Sequence, residues 1–186
     1  MNELKVDVLR RGRRFEAEAL LELAADVQTV WDTITDYDAL PGFMPGIRAC
    51  RVLERRALTS TTEHLLVEQQ GEFRLLLFAQ SMTVTLSIEQ QRPRVATAKA
   101  LSVELGILRR RAIDVFEGRY ELTARGAHQG VPRTRLRYTA VIGLRLPPPP
   151  AVGSLAVRQN LSAQLQAVGS EVARRSGRTA SASVAS

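Results

Sequence analysis

Cysteine occurs once in this chain, at Cys50, histidine only at His64 and His128, and lysine only at Lys5 and Lys99. A lone cysteine excludes an internal disulfide framework and a multi-cysteine metal site. Two histidines so far apart do not make a metal centre by themselves. No apolar run approaches the roughly 20 residues needed to cross a bilayer. The start, Met1 to Phe15, holds basic residues but no hydrophobic signal core and no small-residue cleavage site, so nothing asks for export and a cytoplasmic location is expected. A phosphate-binding glycine loop, a dinucleotide fingerprint, a nucleophile elbow and a recognisable Ser-His-Asp set are all missing. No metal or nucleotide cofactor is expected.

Apolar residues make up 45% of the 186 positions, enough for one domain with a substantial core. Net charge is +7 and the pI is near 10.6. With only two lysines, 24 of the 26 basic residues are arginine, with local clusters at Arg10–Arg14 and Arg109–Arg111. Such a balance offers an anionic surface, membrane, ribosome or RNA, as a partner. Solvated arginines on a strand face are the plainer reading.

The first strong period lies in Phe15–Leu23, where Phe15, Ala17, Ala19, Leu21 and Leu23 alternate with Glu16, Glu18 and Glu22 as in a half-buried strand. The period then changes: Val27, Val30, Trp31 and Ile34 form one stripe of a short helix, with Asp26 placed as its N-cap. Trp31 is a packing residue on that stripe. A second helical turn is expected in Asp-Tyr-Asp-Ala-Leu from Asp36 and broken by Pro41-Gly42; Asp36 and Asp38 are read as its caps in preference to an acid and base pair. An antiparallel meander follows, predicted as Ile47–Arg55, Thr61–Gln70, Phe73–Gln90, Val95–Ser102, Ile113–Thr123 and Thr134–Leu146, with a turn at Gly71.

In the longest of these strands Leu76, Phe78, Gln80, Met82, Val84, Leu86 and Ile88 share one face, and Ser81, Thr83, Thr85, Ser87 and Glu89 the other. The last two strands place Phe116, Gly118, Tyr120 and Leu122, and Leu136, Tyr138, Ala140 and Ile142, on common faces. Pro147–Pro150 is a stiff spacer. Beyond it Val157, Leu161, Leu165, Val168 and Val172 mark one long helix over Val152–Arg175, with Arg174 and Arg175 at its negative end. Ser176–Ser186 is small, polar and expected to be a disordered tail.

The expected fold is therefore α+β: a curved antiparallel sheet of about six or seven strands wrapped around a long C-terminal helix, with two short helices after the first strand. A bent sheet buries its inner face only if something lies across it. A sheet that curls around one helix leaves space between them, where an apolar ligand fits. Gln80, Tyr120 and Tyr138 are the polar groups on that inner face; they either satisfy one another or orient a ligand oxygen. Cys50, with no activating base nearby in sequence, is read as an inert thiol, and His64 as a surface or satisfied-core residue.

The segment Val30-Trp31-Asp32, Thr35-Asp36-Tyr37 and Leu40-Pro41-Gly42-Phe43-Met44-Pro45-Gly46 resembles the opening motif of the START-like polyketide cyclase/dehydrase and lipid-transport superfamily, also called SRPBCC. Phe116-Glu117-Gly118-Arg119-Tyr120-Glu121-Leu122 resembles a later strand of that superfamily, with Tyr120 where tryptophan is more usual. The resemblance spans roughly Phe15 to Arg175 and implies a single helix-grip domain over residues 1–175. It implies a cavity for a lipid, isoprenoid quinone or polyketide-like molecule, and it sets Phe43 and Met44 near the cavity mouth, where they either rim the pocket or close the core. The cavity residues expected are Phe43, Met44, Phe78, Gln80, Met82, Phe116, Tyr120, Tyr138, Leu161 and Leu165. Two other functions stay open: a polyketide aromatase/cyclase or dehydratase needing no metal or nucleotide, and a ribosome- or RNA-associated interaction protein. Fold alone does not choose among them.

Overall fold

The computed structural model describes residues 3–75, 78–106, 113–145 and 150–184; the side chains of 73–80, 105, 150–152 and 178–184 lie outside that description. Within it the chain forms β1 (Leu4–Arg11), β2 (Arg14–Leu23), α1 (Val27–Ile34), α2 (Leu40–Phe43), β3 (Ile47–Ala57), β4 (Thr62–Leu75), β5 (Phe78–Gln91), β6 (Val95–Leu105), β7 (Ile113–His128), β8 (Val131–Leu144) and α3 (Pro150–Val184). All eight strands join one antiparallel sheet in the order β1-β2-β8-β7-β6-β5-β4-β3. The α+β helix-grip architecture expected from the alternating strands and the apolar helix stripe is the observed one.

One strand more is present than the periodicity predicts. Strand β1 pairs along its whole length with β2 through a turn at Gly12, whose φ of 62° suits glycine. Leu4, Val6 and Val8 pack against the core from this edge position, but Leu9 interrupts their alternation with polar neighbours and weakens the signal.

Gly71 also departs from its expected role. It is no turn: β4 runs through it to Leu75, and a Cβ there would lie 1.9 Å from the Gly46 carbonyl oxygen. Glu72 N donates to that oxygen at 2.8 Å, so the Pro45-Gly46 loop rests directly on the strand and only glycine fits beneath it.

The helices show three further differences. The second helical turn sits across Leu40–Phe43, with Pro41 in its first turn where no amide is missed. Asp36 caps nothing with its side chain; it accepts from Arg175 Nη2 at 3.0 Å. Helix α3 starts at Pro150 and continues past Arg175 to Val184, through most of the segment expected as a tail. A helix already nucleated and packed propagates at little cost through small residues. Arg174 and Arg175 are therefore interior to the helix, where both bind Glu171. Asp26 caps α1 as expected, accepting from Thr29 N and Thr29 Oγ1 at 2.8 Å each.

The core lies between the concave face and the helices. Phe15, Leu21 and Leu23 from β2, Leu65 and Val67 from β4, and Leu136 from β8 meet Val30, Trp31, Leu165, Val168 and Val172. Full burial of each such side chain contributes on the order of 1.5–3 kcal/mol.

Candidate functional site: the concave face

Strand register sorts the inner face into transverse rows. One row runs Ala19, Tyr138, Tyr120, Ala96, Gln90, Glu63, each residue paired with the next across adjacent strands. The neighbouring row runs Ala17, Ala140, Gly118, Ala98, Ile88, Leu65. The middle of the concave floor is thus built from alanine and glycine, with a line of polar side chains beside it.

Tyr120 and Tyr138 face each other with ring centroids 4.6 Å apart and planes tilted by 39°. Gly118 makes room for this arrangement, because a Cβ there would stand 2.9 Å from the Tyr138 hydroxyl. Among the described residues neither tyrosine hydroxyl has a hydrogen-bond partner. Burial pushes the Tyr120 phenol up to about 12, and burial together with Tyr120 pushes Tyr138 higher still. Both phenols stay neutral at any physiological pH, each with an O–H to donate. They suit a carbonyl or hydroxyl oxygen and are poorly suited to act as bases.

Tyr37 covers the row from the loop before α2. Gln90 Nε2 donates to the Tyr37 hydroxyl at 2.6 Å, and Gln90 is only 2% exposed. Burial pushes the Tyr37 phenol up against the lowering effect of that hydrogen bond. At the far end of the row Glu63 is buried and held by Arg55 and Arg92.

The face is not covered evenly. At one end Leu21, Leu23, Leu122 and Leu136 are buried, and Thr134 Oγ1 donates to Ala25 O at 2.8 Å, fixing the entry to α1 there. Toward the other end Met82, Ala98, Ala100, Ile113, Phe116, Ile142 and Leu144 are only half-buried, although they share the inward face. Helix α3 approaches β1, β2, β4, α1 and α2. Val84 and Val103 are buried among them; inward apolar side chains that are only partly covered are what an apolar ligand would bury further.

The residues expected to line a cavity are partly brought together here. Met82, Phe116, Tyr120 and Tyr138 lie on the concave face; Leu161 and Leu165 are buried on α3. Phe43 is half-buried on α2, and Met44 is buried in the core behind it. The side chains of Phe78 and Gln80 lie outside the described residues. Gln90 and Tyr37 are not among the residues expected to line the cavity, although Tyr37 belongs to the Thr35-Asp36-Tyr37 motif. Gln90 does continue the alternating series from Met82 through Ile88, which is the signal that finds it. Tyr37 carries no such signal, since its contact with Gln90 joins residues 53 apart.

The remaining chemistry-bearing residues lie elsewhere. Trp31 is buried in the α1 core. Cys50 is half-buried and burial pushes its thiol up to about 11, which makes it inert. His64 is on the outer face, 2.8 Å from Ser87 Oγ. The arginines of that face form a lattice with carboxylates: Arg137 on Glu18 and Glu121, Arg119 on Glu121, Arg135 on Glu22, and Arg48 on Glu72. Arg119 and Arg137, the sequence neighbours of the two tyrosines, therefore point away from them.

No helix among the described residues is long and apolar enough to cross a membrane. The fold is shared with a START superfamily protein from Mycobacterium smegmatis, at a TM-score of 0.67 and 16% identity over 86% of this chain and 97% of that one. It is shared also with the Zhui aromatase/cyclase from Streptomyces sp. R1128 (TM-score 0.62, 18% identity, 87% and 95% covered). TTHA0849 from Thermus thermophilus is also similar, at a TM-score of 0.59 and 13% identity, with 86% and 97% covered. No curated protein matches the sequence. Residues 23–168 match the family described as polyketide cyclase / dehydrase and lipid transport, a span that takes in α1, the tyrosine pair and the first half of α3. The chain belongs to the polyketide cyclase/dehydrase and lipid-transport family.

Proposed function

We propose that this protein binds a hydrophobic small molecule on the concave face, with the Tyr120 and Tyr138 hydroxyls donating to an oxygen of an otherwise apolar ligand. The observation that carries this reading is the coincidence of half-buried apolar side chains with two neutral phenols that lack a partner among the described residues. An isoprenoid quinone, an acyl compound or a polyketide-like chain each present such an oxygen on an apolar frame.

Carriage is favoured over cyclisation. Bending a reactive chain calls for a group that polarises carbonyls beyond a neutral phenol, such as an inward arginine. The arginines nearest the tyrosines in sequence are engaged by Glu18 and Glu121 on the opposite face. An interaction role for the arginine-rich surface is weakened by the same pairing, because each carboxylate cancels charge that a phosphate backbone would need.

Native mass spectrometry of the purified protein, with organic extraction of what co-purifies, tests the reading. A stoichiometric prenyl, acyl or quinone species is expected. A protein that is empty, and that takes up none of these classes when each is added at high micromolar concentration, contradicts it.

A further inference from the structure

The last hairpin outruns the sheet. Strand β2 ends at Leu23, opposite Thr134, and β6 begins at Val95, opposite Glu121. Beyond Leu122 and Thr134, among the described residues, β7 and β8 pair only with each other, as far as His128↔Val131. Gln129 and Gly130, with φ of 51° and 78°, close this ribbon in a two-residue turn. Every residue from Thr123 through Arg133 is exposed, so about 20 Å of two-stranded ribbon projects from the body.

The charge pattern changes at the same place. Arg137 and Arg135 of β8 meet Glu18 and Glu22 of β2. Arg133 is next in that alternation, and β2 has no residue opposite it. A bulge between Ala124 and Ala127 sets Arg125 and Gly126 against Arg133. Among the described residues neither arginine is in an ion pair. The carboxylates at the base of the ribbon are taken: Glu121 holds Arg119 and Arg137, and Asp26 accepts from Thr29. No aspartate or glutamate occurs between Glu121 and Glu171. Like charges facing each other across a ladder are unfavourable without an anion to meet them. Beyond the two arginines the tip is apolar, with Ala127, Pro132 and Val131 exposed, the last by 45%.

We infer that the β7–β8 ribbon is a docking finger for an anionic lipid surface, with Val131 and Pro132 entering the headgroup layer and Arg125 and Arg133 on lipid phosphates. Cations flanking an apolar tip match such a layer in both charge and polarity. A second copy adding a strand is disfavoured, because Pro132 offers no amide and the bulge bends the β7 edge. Nucleic acid is a poorer match. The ribbon carries no aromatic side chain from Thr123 to Arg133 on which a base could stack, and its arginines are few for a run of phosphates. The finger lies apart from the concave face and acts whether or not that face is occupied.

The test is flotation of the native protein with vesicles of phosphatidylcholine alone and of phosphatidylcholine mixed with phosphatidylglycerol, at low salt. Binding to the mixed vesicles only is expected. Each arginine near an anionic surface is worth about fivefold in affinity, so Arg125→Gln with Arg133→Gln is expected to weaken binding about thirtyfold. Arg13→Gln with Arg14→Gln removes the same charge from exposed positions at the opposite end of the sheet and is expected to leave binding nearly unchanged. In Val131→Trp the new indole is expected to shift its emission to shorter wavelength on mixed vesicles, against the constant signal of buried Trp31. No binding of the native protein to mixed vesicles, equal losses from the two arginine pairs, or an unshifted indole at 131 overturns the finger. Ribbon-dependent binding to single-stranded RNA in place of vesicles overturns it too, in favour of a nucleic-acid partner. Each of these outcomes leaves the binding role of the concave face intact.

Discussion

Tyr120 and Tyr138 are direct partners across β7 and β8, and the ring of Tyr138 lies over Gly118, two residues before Tyr120 on the same strand. The glycine and the two tyrosines are thus one device. A side chain at 118 would displace the ring that gives the concave face its polar line.

Gly118→Val is accordingly expected to destabilise the protein by about 1–3 kcal/mol, the usual cost of overpacking. The near-ultraviolet circular dichroism of the tyrosines is expected to change as well. Urea unfolding with the same spectrum recorded in the native baseline checks both. A variant with native stability and spectrum contradicts the packing described.

Tyr37→Phe removes the acceptor of the buried Gln90 amide. An unsatisfied buried donor costs about 1–3 kcal/mol. Gln90→Leu in the same background is expected to recover part of that loss, since the orphaned amide is then gone. A double variant no more stable than Tyr37→Phe alone contradicts this account of the pair.

Glu171 predicts acid sensitivity. Hydrogen bonds from Arg174, then Arg175, pull its carboxyl down from an ordinary value near 4.5 to about 2. A folded value below the unfolded one stabilises the protein above about pH 4.5, and that stability is lost as pH falls toward 2. Asp26, lowered overall by its capping bonds despite partial burial, acts in the same direction. Loss on the order of 2–3 kcal/mol is expected over this window from Glu171, and Glu171→Gln is expected to flatten the pH profile there. A profile unaltered by that substitution contradicts the role of the Arg174–Glu171–Arg175 group.

Cys50 is expected to resist alkylation. With its thiol near 11, the thiolate fraction at pH 8 is about a hundredfold below that of an ordinary cysteine. Iodoacetamide labelling of native and urea-unfolded protein measures the ratio. Equal rates in the two states contradict the burial of this side chain.

Much of the fold was legible because burial here follows simple periods. Strand β5 alternates without a break from Met82 to Ile88, and α3 repeats its apolar residues every three or four positions. What escaped depends on partners distant in sequence. Gly71 reads as a turn until the Gly46 carbonyl is seen against it. Asp36 reads as a cap until Arg175 arrives from 139 residues away. Strand β1 has too little contrast to stand out alone and becomes a strand by pairing with β2. At the site the individual residues Tyr120 and Tyr138 were readable from alternation, whereas their pairing, the alanine floor and the Tyr37–Gln90 bond exist only once register is fixed.

The most direct test of the central claim is equilibrium binding of a decyl-substituted benzoquinone to the native protein and to the Tyr120→Phe, Tyr138→Phe double variant, followed by calorimetry. Saturable binding with one ligand per chain is expected, with a loss of about tenfold in affinity in the variant, the value of one to two hydrogen bonds. Binding that is absent from the native protein, or that is equally tight when both hydroxyls are gone, contradicts it.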